Sequence, residues 1–108
     1  MILTRAVQDL VMRHIDSVIQ LEALLFLRER PAEPWDLQAI ARQLYAPDAQ
    51  LLAALSDLCR DGLVLRAGTS YIYASDQPAA PQIDALADAY ARHLIPLTEL
   101  IHSKHDKT

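Results

Sequence analysis

Along residues 4–14 the apolar positions Ala6, Val7, Leu10 and Val11, with His14, recur at helical spacing, while Arg5, Asp9 and Arg13 fall on the other side. This predicts a short amphipathic helix that needs a surface to lie against. Asp16 and Ser17 are N-capping residue types, so a second helix is expected from there through 18-VIQLEALLFLRER-30, stopped by Pro31 and Pro34. Val18, Ile19, Leu21, Leu24, Leu25, Phe26 and Leu27 leave it almost no polar face, which marks it as the central buried helix. Asp36 can cap a third helix in which Leu37, Ile40, Ala41 and Leu44 follow the i, i+3, i+4, i+7 pattern. After 45-YAP-47 a fourth helix is expected over 47–61, with Pro47 in its first position, Asp48 near its positive end and Leu51, Leu55 and Leu58 buried, flanked by Leu52 and Cys59. Gly62 stands where a C-terminal cap needs positive φ.

Beyond Gly62 the period changes to two. The segments 63-LVLR-66 and 71-YIYAS-75 are rich in β-formers and flank 67-AGTS-70, which predicts a hairpin. Residues 76–81 are a proline-bearing linker, and 82–103 are again strongly helical, with a tail at 104–108 expected to fray. Pro96 removes a hydrogen bond to the carbonyl of Arg92 and is expected to kink that helix. The fold class expected is mainly α with a small β-hairpin, in one domain of 108 residues: an N-terminal helix in 1–16, a core over 17–75, the linker and a long C-terminal helix.

The order of elements and the run 36-DLQAIARQLYAPDAQLLAALSDLCRDGLVLR-66 resemble a winged helix-turn-helix of the kind found in bacterial transcription regulators of the MarR and PadR types. The resemblance covers residues 17–75. It implies that the fourth helix of the chain presents base-reading residues, with the wing and the preceding helix on phosphates. On an exposed face of Asp48, Gln50, Ala53, Ala54, Asp57, Arg60 and Asp61, Gln50 can read an adenine edge and Arg60 a guanine. Arg42, Arg60 and Arg66 are the candidate phosphate contacts.

Charge weighs against that role. The chain carries 14 acids against 10 Lys and Arg, for a net charge of -4, so nothing attracts it generally to a polyanion. Within 36–75 the three arginines face Asp36, Asp48, Asp57 and Asp61. A dimer would offer about six basic contacts, at the low edge of the roughly 6–10 that salt-sensitive binding uses. The small side chains Ala53 and Ala54 suit a protein surface better, so docking to a protein partner is the expectation and DNA binding the alternative.

The last helix places Ile83, Ala87, Tyr90, Leu94, Leu97 and Ile101 at alternating spacings of four and three, the pattern of a coiled-coil seam, with Leu86, Ile95 and Leu100 widening it. MarR and PadR proteins dimerise through terminal helices, so the resemblance implies a homodimer. Folding back onto its own domain is the competing expectation for this helix.

No nucleophile, base and orienting group can be assembled, and no phosphate-binding glycine loop occurs, so an enzyme is not expected. No cofactor is expected. His93, His102 and His105, with Glu99, are read as exposed polar residues in preference to a metal site. The single cysteine, Cys59, excludes an internal disulfide and reads as a small hydrophobe. Trp35, Tyr71 and Tyr73 are expected to pack around the wing. The longest apolar runs, 23-ALLFL-27 and 51-LLAAL-55, fall far short of the ~20 residues that span a bilayer. No membrane span and a cytoplasmic location are therefore expected.

Overall fold

The computed structural model describes residues 2–105. Among them the fold is mainly helical with a small antiparallel sheet, in the order α1 (Arg5–His14), α2 (Val18–Arg28), β1 (Trp35–Asp36), α3 (Leu37–Leu44), α4 (Asp48–Arg60), β2 (Val64–Ala67), β3 (Ser70–Tyr73), α5 (Ala80–Arg92) and α6 (Leu94–Ser103). The chain divides into two compact units, one formed by Ile19–Gln77 and the other by residues 2–18 with 78–105.

In the unit Ile19–Gln77, α2 is buried over Gln20, Leu21 and 23–27, as its nearly uniform apolarity requires. It ends at Arg28, two residues before the expected stop, because a residue preceding proline is pushed out of helical geometry and Arg30 precedes Pro31. Asp36 caps α3, its carboxylate accepting from the Ala39 N–H at 2.8 Å. The end of α3 is closed by Tyr45 in the left-handed region, φ 53 and ψ 40, with the Ala46 N–H reaching back to the Ala41 carbonyl at 3.1 Å. Pro47 lies one position earlier than expected, at the N-cap of α4, where it supplies no side-chain cap. Asp48 occupies the first turn and complements the helix dipole there. Gly62 has φ 79, and the Leu63 N–H bonds to the Leu58 carbonyl at 3.0 Å, the C-terminal closure its sequence position implies.

The hairpin is tighter than expected. Its strands run 64–67 and 70–73, closed by Gly68 and Thr69 with Gly68 at φ 63, and a glycine first in a two-residue loop permits the primed turn that matches strand twist. A short strand that sequence periodicity did not reveal, β1, completes a sheet of order β1-β3-β2, with Trp35 opposite Tyr71 and Val64 opposite Tyr73. Tyr71 and Tyr73 are buried. Trp35 meets Phe26 edge to face at 4.8 Å, and the Arg30 guanidinium lies 3.9 Å over the Phe26 ring.

In the other unit α1 packs against both α5 and α6, which also pack together. Val7, Leu10 and Val11 are the buried stripe of α1, and Thr4 caps it by accepting from the Val7 N–H. The helix expected over 82–103 is two helices. It is broken at His93, φ -136, and not simply kinked at Pro96. The cause is the one expected: the Pro96 ring cannot sit against the Arg92 carbonyl, so the chain leaves helical geometry between them and Pro96 falls in the first turn of α6, where a missing N–H costs nothing. The tail is ordered at its start, since Lys104 donates to the carbonyls of Val11 at 2.7 Å and Ile15 at 2.9 Å. Its remainder, 106–108, lies outside the described residues.

Candidate functional site

The outward face of α4 is set by the burial of Leu51, Leu55 and Leu58. At about 100° per residue, Ala54 lies roughly 60° from Leu51 and belongs to the buried arc, whereas Leu52 lies about 100° away and leaves it. Ala54 is accordingly only 4% exposed, which removes it from the expected docking face, and Leu52 takes its place at 46%. Asp48, Gln50 and Ala53 are exposed as expected, and Ala49 joins them. Ala49, Leu52 and Ala53, spaced i, i+3, i+4, thus form an exposed small-apolar strip. At the corner leading into α4, Tyr45 is 95% exposed. The sequence pattern set Leu52 beside the buried stripe, which its exposure corrects, and gave Tyr45 only as part of the turn before α4. The helical wheel contains the signal for Leu52, but the outward projection of Tyr45 follows from the left-handed closure of α3.

The charged residues of this face are tied to one another. Arg60 donates to Asp57 at 3.0 Å and to Asp61 at 3.2 Å. The hydrogen bond and charge of Asp61, reinforced by Asp57, hold the guanidinium above its ordinary pKa, so it is a cation already matched by two acids. Asp57 is half-buried and also accepts from the side-chain amide of buried Gln20 on α2 at 3.5 Å. Asp57 is therefore part of the packing between α2 and α4 as well as of the surface. On the hairpin, Arg66 donates to the Gly68 carbonyl at 3.0 Å. Arg42 is exposed on α3. Half-buried Cys59 has its thiol pushed up by burial, partly offset by the charge of Arg66.

The expected seam of the C-terminal segment is largely consumed by folding. Ile83, Leu97 and Ile101 are fully buried and Ala87 and Tyr90 half-buried, so the first three are corrected from interface to core. The break at His93 also interrupts the seam's helical phase. What remains outside is Leu94 at 46% and Ile95 at 70% exposure.

Among the described residues no group of three or more His, Cys, Asp or Glu is placed to hold a metal ion. His105, one of the candidate histidines, instead lies with Nε2 2.6 Å from the Asp16 carbonyl oxygen. No helix among the described residues is long and apolar enough to cross a membrane. Comparison with protein-family models, curated proteins and solved structures finds no match to this chain.

Proposed function

We propose that this chain is a winged-helix protein of transcription-regulator type that acts mainly by docking another protein on the exposed face of α4 and the adjoining Tyr45. The order of α2, β1, α3, α4 and the β2–β3 hairpin supports the resemblance stated above; a fold of that kind hosts many functions, so the surface must carry the functional reading. The observation that carries it is the state of α4. Its one arginine is engaged by Asp57 and Asp61, and its exposed strip is Ala49, Leu52 and Ala53. A DNA reader needs cations free to replace counterions on phosphates. A protein-docking helix needs a desolvatable apolar centre with an aromatic anchor and a polar rim, which Leu52, Tyr45, Asp48 and Gln50 can supply. A homodimer remains part of the proposal only through Leu94 and Ile95, the exposed remnant of the C-terminal seam. The proposed location is the cytoplasm.

The test is affinity capture from the native cytoplasm, divided into nuclease-treated and untreated halves, with the wild-type chain and a Tyr45→Ser, Leu52→Gln variant. A partner kept in the nuclease-treated half and lost by the variant is the expected result. Sub-micromolar binding to a genomic fragment at physiological salt, weakened by Arg42→Ala and Arg66→Ala and steeply salt-dependent, would overturn it in favour of an operator-binding regulator.

A further inference from the structure

The C-terminal end of α6 is fastened to the end of α1 by two neighbouring side chains. The Lys104 ammonium donates to the carbonyls of Val11 at 2.7 Å and Ile15 at 2.9 Å and pairs with the Asp16 carboxylate at 2.7 Å. Beside it, His105 Nε2 lies 2.6 Å from the Asp16 carbonyl oxygen. The backbone N–H groups of the same two residues turn the other way, Lys104 to the Ile101 carbonyl and His105 to that of His102, so they shape the helix end without holding it to α1. Ile101 is fully buried, which places this fastening directly beside the apolar core of its unit.

Such a clasp depends on one nitrogen carrying three protons. Nε-acylation leaves a neutral secondary amide with a single N–H. At least two of the three oxygens then lose their donor, Asp16 loses its counter-ion, and the acyl group adds bulk to a side chain that is nearly buried. Burying acceptors without donors is costly, so the modified end is driven off α1 instead of closing over it. The reaction itself discriminates between the two states. While the clasp is shut, the amine is an ammonium without a lone pair and each of its protons is engaged. Once local opening frees it, it gives one proton to water and its nitrogen attacks the acyl carbonyl carbon. The bond from that carbon to sulfur or phosphate oxygen breaks, the thiolate or phosphate leaves with the electron pair, and the nitrogen sheds its second proton.

We propose that Lys104 is an acylation-sensitive clasp: an acyl thioester or acyl phosphate modifies it in the open state, and the modified end of α6 stays off α1 with Ile101 uncovered. The device belongs to the unit that contains α1, α5 and α6 and does not rest on the docking role of α4.

The test has two parts, both on the full chain. Wild-type protein is incubated separately with acetyl phosphate and with acetyl-coenzyme A, and peptide mass spectrometry follows acetylation of Lys104 by either donor; Asp16→Asn, which weakens the clasp, should speed it. A chain in which Lys104 is replaced by Nε-acetyllysine is then compared with the wild type by hydrogen exchange. Amides of residues 100–105 should exchange about 5- to 30-fold faster, the effect of losing hydrogen bonds to a charged group, while those of α5 keep their protection. Lys104 untouched by both donors in the folded protein, acetylation no faster in Asp16→Asn, unchanged exchange at 100–105, or equal acceleration in α5 each overturns the proposal. So does failure of the acetyllysine chain to fold, because the end of α6 would then be a requirement of the fold and not a releasable clasp.

Discussion

The side-chain ammonium of Lys104 lies 2.7 Å from the carbonyl oxygen of Val11, joining residues 93 apart in sequence. Its other contacts are the Ile15 carbonyl and the Asp16 carboxylate, the latter at 2.7 Å. The three protons of the ammonium thus meet three acceptors at the end of α1, where the helix dipole favours a cation; the Val11 carbonyl accepts from the Ile15 N–H at 3.1 Å as well. The Lys104 side chain is only 11% exposed. Lys104→Met keeps the aliphatic stem and removes the donors. It should cost about 1–3 kcal/mol, the value of hydrogen bonds involving a charged group, and lower the melting temperature by about 4–8 °C per kcal/mol for a chain of this size. Thermal denaturation monitored by circular dichroism checks it.

Asp57 and Arg60 share an ion pair but differ in what else they touch. Arg60 bonds to exposed or half-buried acids and is itself fully solvated, so Arg60→Ala should leave the stability nearly unchanged. Asp57→Ala also takes an acceptor from buried Gln20 and should cost about 1–2 kcal/mol. Urea denaturation of the two variants should rank them in that order; the reverse order would mean that the surface pair, not the link to α2, holds Asp57.

Tyr45 combines near-complete exposure with a left-handed backbone that bulky residues adopt at a cost. Tyr45→Gly should therefore stabilise the chain by about 0.5–1 kcal/mol. Under the docking proposal the same change weakens partner capture. Opposite signs in a melting experiment and a capture experiment are the expected outcome.

The C-terminal helices separate core from surface within a few residues. Leu97→Ala should cost about 2–5 kcal/mol because Leu97 is fully buried. Leu94→Asp, at a 46% exposed position, should leave the fold intact. If Leu94 and Ile95 hold a second copy, sedimentation of that variant should show a monomer where the wild type is a dimer. Equal masses for both proteins would remove the homodimer from the proposal.

The raised pKa of Cys59 comes first from burial of the thiol. Folding then favours the protonated form, so its contribution is fully present below the unfolded thiol pKa of about 8.5 and is lost as pH rises through that value towards the raised folded one. Stability of the wild type should fall more steeply above this point than that of Cys59→Ala. The difference between their urea midpoints as a function of pH isolates the thiol from other groups titrating nearby.

Much of this architecture was legible in local chemistry. The caps at Asp36 and Gly62, the uniform apolarity of α2, the stripe of α1 and the change of period after Gly62 each name a residue whose conformational preference acts within a turn or two, and the corresponding elements formed. Ala54 was misplaced although the helical wheel contains the answer, because alanine's small side chain carries little hydrophobic signal of its own. Pro96 announced an interruption but not that the chain would break at His93. Tertiary structure decided what is non-local. Two residues, Trp35 and Asp36, are too few to show a strand period and become β1 only by pairing with β3. Ile83, Leu97 and Ile101 have a spacing that suits a partner helix and a neighbouring helix of the same chain equally, and packing among α1, α5 and α6 turned that seam inward. The net charge was readable from composition, but the engagement of Arg60 by Asp57 and Asp61 depends on side-chain geometry. Sequence determines which short-range conformations are cheap. Which apolar faces stay exposed and which charges stay free is settled only when distant segments compete to cover them.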